Sequence, residues 1–285
     1  MLPDFEVAET HPAEWIQLTF VSLLAAAAWL RPLGRSRQLV VSTLALIAIV
    51  AIALARLSFH WLSPFASAAL QDWLPAALLL VPYWQIGQFF TGPDPGTEAR
   101  LAAFDRTFFK RLGLQPATIS IHAAVGTYLE IAYLTVYPLV PLGLVALYAT
   151  GLEHFVDYYW IVVLPATYIS FAITPFVRAM PPRILSGYDG FRLPPSRVEV
   201  LNHRILRRAG IQAITFPSGH VASATAVALV LLRLEPWVGM MFLVIALSIA
   251  VATVVCGYHY AADVLLALVV AVLVFISTLG MLKLG

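Results

Sequence analysis

The chain has 285 residues, 61% of them hydrophobic and 11% charged, with a mean hydropathy of +0.86. So few polar groups cannot cover a water-soluble globule of this size, which places the chain in a membrane. A net charge of +2 gives no basis for nucleic-acid binding, and a single cysteine, Cys256, excludes an intrachain disulfide and any multi-cysteine metal site.

Segments of about 20 mostly apolar residues predict eight transmembrane helices, at 15–30, 39–57, 73–90, 124–149, 158–177, 221–232, 237–256 and 261–282. The expected fold class is therefore all-α, a polytopic transmembrane helical bundle. The first segment starts near Glu14, lacks a basic leader and is followed by further spans, so it reads as a retained helix and not a cleaved signal. Segment 221–232 is short; it approaches bilayer length only if its helix starts near Pro217 and runs toward Arg233, which would put His220 in the first turn. Residues 92–116 open on Pro/Gly turn signals and then alternate apolar and basic residues at helical spacing, the pattern of an interfacial amphipathic helix. The stretch 178–215 carries seven arginines and four prolines, too many prolines for one continuous helix. No internal repeat is visible.

Of the 17 Lys/Arg residues, 14 lie in three connections, 31–37, 100–111 and 178–208, and an eight-helix path puts all three on one face. By the positive-inside rule that face is cytoplasmic, with the acidic segment 4–9 and the C-terminus on the other side. Trp15, Trp61, Trp73, Tyr158 and Trp160 fall at predicted span ends, where an aromatic belt accounts for them. Cys256, in apolar surroundings, reads as a packed thiol.

Two motifs carry chemistry. The first is "FPSGHVASA" at 216–224, where a Pro-Ser-Gly turn puts His220 at the mouth of an apolar helix. The second is "VCGYHYAAD" at 255–263, which sets His259 and Asp263 at i and i+4 on one helical face. A carboxylate one turn from an imidazole fixes its tautomer, stabilises the imidazolium and leaves the other ring nitrogen free to attack. The eight-helix path returns His220, His259 and Arg183 to the same face. A helix N-terminus offers N–H groups to an anion and arginine offers a planar fork to phosphate oxygens, so the chemistry that fits is phosphoryl transfer.

"PSGH", followed two helices later by "HYAAD", resembles the second and third signature motifs of the type 2 phosphatidic acid phosphatase superfamily, over roughly 158–282. The resemblance implies a six-helix phosphatase-like core within 73–285, with active-site loops at 178–220 and 256–263, preceded by two extra transmembrane helices in 1–72. It implies metal-independent hydrolysis or transfer of a lipid-linked phosphate through a phosphohistidine, with no cofactor. His259 would be the nucleophile, Asp263 its orienting partner and His220 the general acid. Ser218 and Gly219 would bind phosphate through hydroxyl and backbone N–H. The usual first motif, a lysine six residues before Arg-Pro, is absent; "MPPR" with Arg183 resembles the form found in the branch related to inositol phosphorylceramide synthases. Ala252-Thr253 stands where Ser-Arg is usual, and Thr253 again resembles that branch. Either Arg178, Arg204, Arg207 or Arg208 would then supply the missing phosphate contacts, or activity is altered or lost.

Several alternatives stay open. Arg192, Arg197, Arg204, Arg207 and Arg208 each read first as topological anchors, Asp189 as a turn residue, and His122 and Glu130 either as headgroup selectors or as bonds to a neighbouring helix. A transporter or lipid-binding protein on a degenerate phosphatase fold is the alternative to an enzyme. The expected partners are a lipid phosphate and the bilayer of a bacterial-type cell membrane, and the sequence carries no signal for oligomeric state. The charge distribution puts the site on the cytoplasmic face, whereas the resemblance implies the opposite one.

Overall fold

The computed structural model describes residues 11–185 and 188–281; the acidic segment 4–9 and the end of the last expected span lie outside them. The described residues form an all-helical bundle, and their one β-type pairing is an isolated bridge between Ser120 and Arg192. In chain order the helices are α1 (Pro12–Leu30), α2 (Arg35–Leu57), α3 (Pro64–Leu78), α4 (Leu80–Gly87), α5 (Pro95–Arg111), α6 (Ala123–Leu134), α7 (Val136–Ala149), α8 (Val156–Ile173), α9 (Arg197–Ala209), α10 (Gly219–Leu234), α11 (Pro236–Val255) and α12 (Ala261–Thr278). Six segments are long and apolar enough to cross a bilayer, the bent pair α6–α7 makes a seventh, and α10 is a shorter apolar helix. The protein is thus an integral membrane protein.

Two expectations need correction. The span 124–149 is two helices bent by 61°. Pro138 explains the break, since it cannot donate to the Leu134 carbonyl and its ring crowds that oxygen; Thr135 Oγ1 caps the nearby Ala132 carbonyl at 2.6 Å. The third span begins at Pro64, nine residues before the expected Trp73, because Ser67, Gln71 and Asp72 find partners inside the protein. Ser67 Oγ lies 2.6 Å from Ser58 Oγ and receives a bond from Gln71, while Tyr148 donates to Asp72. As its prolines predict, the 178–215 stretch is not one continuous helix; its helix, α9, starts only after the last proline, Pro195. Ser196 and Glu199 form a reciprocal capping box at its start, satisfying two N–H groups that the first turn leaves free.

The amphipathic helix expected in 92–116 is α5. Asp94 accepts from Thr97 N at 2.9 Å to begin it, Pro95 occupies its first position, and Lys110 and Arg111 close its last turn.

α10 runs through the centre. Nearly every residue from Val221 to Leu231 is buried, and it packs against α7, α8, α11 and α12. Alanines at 222, 224, 226 and 228 let those neighbours approach closely, the usual basis of helix association where lipid removes the hydrophobic drive. α1, α2 and α3–α4 join one side: Phe20 of α1 stacks on Tyr168 of α8 with centroids 4.4 Å apart, and Gln85 of α4 donates to the Val21 and Val41 carbonyls. Large apolar side chains on α2, α11 and α12, such as Ile47, Met241 and Leu273, point outward to where lipid tails would lie.

The three basic connections meet at one end of the bundle. Arg31 sits over the Phe176 ring at 4.4 Å, Arg37 donates to the Phe90 carbonyl at 2.7 Å, and the Arg178 carbonyl accepts from Asp94 N at 2.8 Å. The Glu14–Arg56 and His11–Asp157 pairs tie the start of α1 to the end of α2 and to the start of α8.

Gly239 sits where α10 turns back into α11, and a Cβ there would lie 2.1 Å from Leu232 backbone atoms. Backbone cannot swing aside as a side chain can, so Gly239→Ala is expected to cost the upper part of about 1–3 kcal/mol. Gly34→Ala, with nothing within 4 Å of the added carbon, should stay within about 0.5 kcal/mol. Unfolding in detergent, followed by circular dichroism, measures both.

Candidate active site

The first motif forms the start of α10. Ser218 is the N-cap and its hydroxyl accepts from Val221 N at 3.4 Å; Gly219 N donates to Thr215 Oγ1 at 2.9 Å. Thr174, at the end of α8, accepts from Phe216 N at 3.0 Å and fixes the approach to this turn. Gly219 is demanded by packing, because a Cβ would sit 2.7 Å from the Phe171 ring.

The second motif forms the start of α12. His259 Nδ1 and Asp263 Oδ2 are 2.6 Å apart, with Asp263 completely buried and His259 5% exposed. The carboxylate orients the Nδ1 side of the ring and leaves Nε2 as the free atom. Ser218 N donates to the Asp263 carbonyl at 3.1 Å, which ties the two helix starts together. His220 and His259 then face one another with ring centroids 6.3 Å apart and planes at 81°.

The turn between α11 and α12 is gripped by separate elements. His259 N donates to the Thr253 carbonyl at 2.9 Å, and the Gly257 carbonyl accepts from Arg183 N at 3.1 Å. Gly257 has φ +69, and a Cβ there would meet Arg183 Cβ at 2.8 Å, so both the backbone and the close approach call for glycine. Tyr258 donates to Glu130 Oε2 at 2.6 Å, and burial raises its phenol well above the usual range, which keeps it a donor. Arg183 lies over the Tyr258 ring at 3.8 Å, within cation–π range. Tyr133 stacks on the other side of that ring at 3.6 Å.

The structure therefore brings together His220, His259, Asp263, Ser218, Gly219 and Arg183. It does not bring Arg178 to them: that side chain is exposed and its hydrogen bond, at 3.5 Å, is to Thr91. Arg204, Arg207 and Arg208 are exposed on α9. Ala252 and Thr253, in the place of the usual Ser-Arg, are fully buried in α11, and the Thr253 hydroxyl donates to the Ala250 carbonyl. Glu130 is engaged by Tyr258 and by Asn202 Nδ2, the latter at 2.7 Å, which favours the helix-bonding alternative. His122 caps α6 through Ala124 N, Asp189 is exposed, and Cys256 is a buried free thiol.

Sequence reasoning did not reach Tyr133 and Tyr137, whose rings stand edge-on to His220 at 6.0 and 6.1 Å on either side of the α6–α7 bend. Asn202, the residue that α9 buries, was equally silent, since its partner Glu130 lies 72 residues away. A cavity of about 600 Å³ opens between α5, the turn at 113–118 and Leu185, Tyr188 and Asp189; neither histidine lines it.

The family model described as the PAP2 superfamily matches residues 99–277, and the chain belongs to that superfamily. Phosphatase-type activity is what the superfamily generally has. No curated protein and no solved structure matches the chain.

Tyr258→Phe removes one of the donors on a buried carboxylate. It is expected to cost about 1–3 kcal/mol, read as a lowered melting temperature in detergent, while Tyr128→Phe, whose hydroxyl meets Ser248 on an exposed surface, should change stability by less than about 0.5 kcal/mol.

Proposed function

We propose that this protein is a membrane enzyme that hydrolyses or transfers the phosphate of a lipid phosphate ester through a phosphohistidine. The observation that carries the reading is the buried His259–Asp263 pair at 2.6 Å facing His220 across the joined starts of two helices. A titratable pair at the mouth of a membrane bundle is costly to keep without a use.

His259 Nε2 attacks phosphorus, and the bond from phosphorus to the leaving oxygen breaks as the N–P bond forms. His220 gives that oxygen its proton, and Asp263 stabilises the positive charge that develops on the His259 ring. Water or an acceptor alcohol then attacks the phosphohistidine; His220 takes its proton, the N–P bond breaks, and phosphate or a new phosphoester leaves. Arg183 faces the developing charge from the Tyr258 side, and the α10 N-terminus adds its positive dipole. In the free protein Thr215 Oγ1 occupies the Gly219 N–H, so a phosphate oxygen would take over that bond as the substrate seats. Arg183 in "MPPR" and Thr253 favour a transferase or specialised phosphatase of the type related to inositol phosphorylceramide synthases. The lipid tail would reach the site from the bilayer beside the α6–α7 bend, where Tyr137 is exposed.

Phosphate release from a panel of lipid phosphates, without added metal, tests the reading. His259→Ala and His220→Ala are each expected to lose at least about 10²–10⁴-fold in kcat, and Asp263→Asn a comparable factor through loss of the correct tautomer. The wild type should also acquire acid-labile, alkali-stable phosphate. Undiminished function in His259→Ala would sink the phosphohistidine scheme and favour a non-catalytic lipid-binding or transport protein.

A further inference from the structure

α12 begins without a cap of its own. Its N-cap residue, Tyr260, makes no side-chain capping bond, and the acid of its first turn, Asp263, is committed to His259. The first N–H groups of a buried helix must nevertheless find acceptors.

The acceptor comes from α5. Asp105 Oδ1 receives the bond from Ala261 N at 2.9 Å, across 156 residues of chain. Oδ2 receives a second bond, from Tyr188 OH, at 3.2 Å. Asp105 is 3% exposed and lies with Leu101 and Phe109 on the one face that α5 buries, a place where an amphipathic helix ordinarily carries only apolar residues. Burial pushes its carboxyl up to about 7, against the pull of both hydrogen bonds and with the nearby Asp263 charge in the same direction as burial. Leucine or phenylalanine would fill that face without any desolvation cost, so the acid is there for its oxygens.

We propose that Asp105 is a positioning residue for the phosphoryl-transfer site, holding the first turn of α12 so that His259 and Asp263 keep their register. The proposal rests on the functional reading above. Ala261 stands midway between the two, two residues from each, so displacement of its N–H moves both ends of the pair. Misplacing a nucleophile by a fraction of an ångström is enough to cost rate without costing binding.

The test compares wild type with Asp105→Asn, which keeps an acceptor, and Asp105→Leu, which fills the space without one. Two readouts are taken on detergent-purified full-length protein: kinetics of phosphate release, and deuterium exchange of amides 260–263 by mass spectrometry. Asp105→Leu is expected to lower kcat at least tenfold with KM within twofold and to speed exchange of the Ala261 amide at least tenfold. Asp105→Asn is expected to restore both to within about threefold of wild type. Wild-type kcat in Asp105→Leu, or exchange unchanged from wild type, overturns the proposal. If Asp105→Leu does not fold, Tyr188→Phe takes its place, with kcat expected to fall two- to threefold at constant KM; unchanged kcat there overturns the proposal equally. Phosphate release that survives His259→Ala would overturn the phosphoryl-transfer reading instead, and the exchange rates alone would then decide whether Asp105 caps α12.

Discussion

The hydrogen bond between His259 and Asp263 is the constraint around which the rest of this end of the molecule is arranged. A fully buried carboxylate in a helical bundle is expensive, and what offsets its cost is the imidazole at 2.6 Å together with its place in the first turn of α12, where the helix dipole favours negative charge. Those two compensations act only while the turn before the helix keeps its shape. Each residue from Gly257 to Ala261 is accordingly fixed: by Arg183, by Glu130, by Thr253, by burial of Tyr260, and by Asp105. The grips come from α5, α6, α11 and the Pro182–Ile184 turn, so the geometry of one pair depends on elements spread across most of the chain.

The bundle supplies this convergence through α10. Because it is encased, α8, α11 and α12 all share it as a neighbour, and the bond from Ser218 N to the Asp263 carbonyl fixes the relative height of the two helix starts. The start of α10 thus lies beside the start of α12, whose positive dipole end Asp263 and Asp105 occupy. Arg183 joins them through its backbone bond to Gly257 and its seat on Tyr258, and Tyr133 closes the stack from the far side. The aromatic layer thus seats a cation on the Tyr258 face, and Glu130 anchors that layer through Tyr258.

The all-helical membrane fold, the order of the spans and the meeting of His220, Asp263 and His259 at one end were legible because hydropathy fixes spans, and an even number of crossings fixes which ends coincide. What the sequence concealed was of two kinds. Some signals were present but lay outside a hydropathy reading: Pro138 marks the α6–α7 break, and Ser196 with Glu199 marks the start of α9. Others belong to no local pattern at all. That Tyr133 would stack on Tyr258, that Asn202 would reach Glu130, or that Asp105 would meet Ala261 follows from packing over separations of 72 to 156 residues. Arg178 illustrates the opposite error, for being adjacent in sequence to the right loop did not turn its side chain toward the histidines.

The sheathing of α10 by other helices also separates it from the lipid. A helix of 16 residues is about 24 Å long, short of a hydrocarbon core of about 30 Å, and a lipid-facing helix of that length would have to thin the bilayer around it. Here the stretch from Val221 to Leu231 is held almost wholly by protein, so the mismatch is not met along it. Thickening or thinning of the membrane is felt first by α1 and α2, which can tilt to follow it, while the depth of His220 is set by its neighbours α8, α11 and α12. The bundle acts as a suspension: its outer members track the host membrane, and its centre stays level.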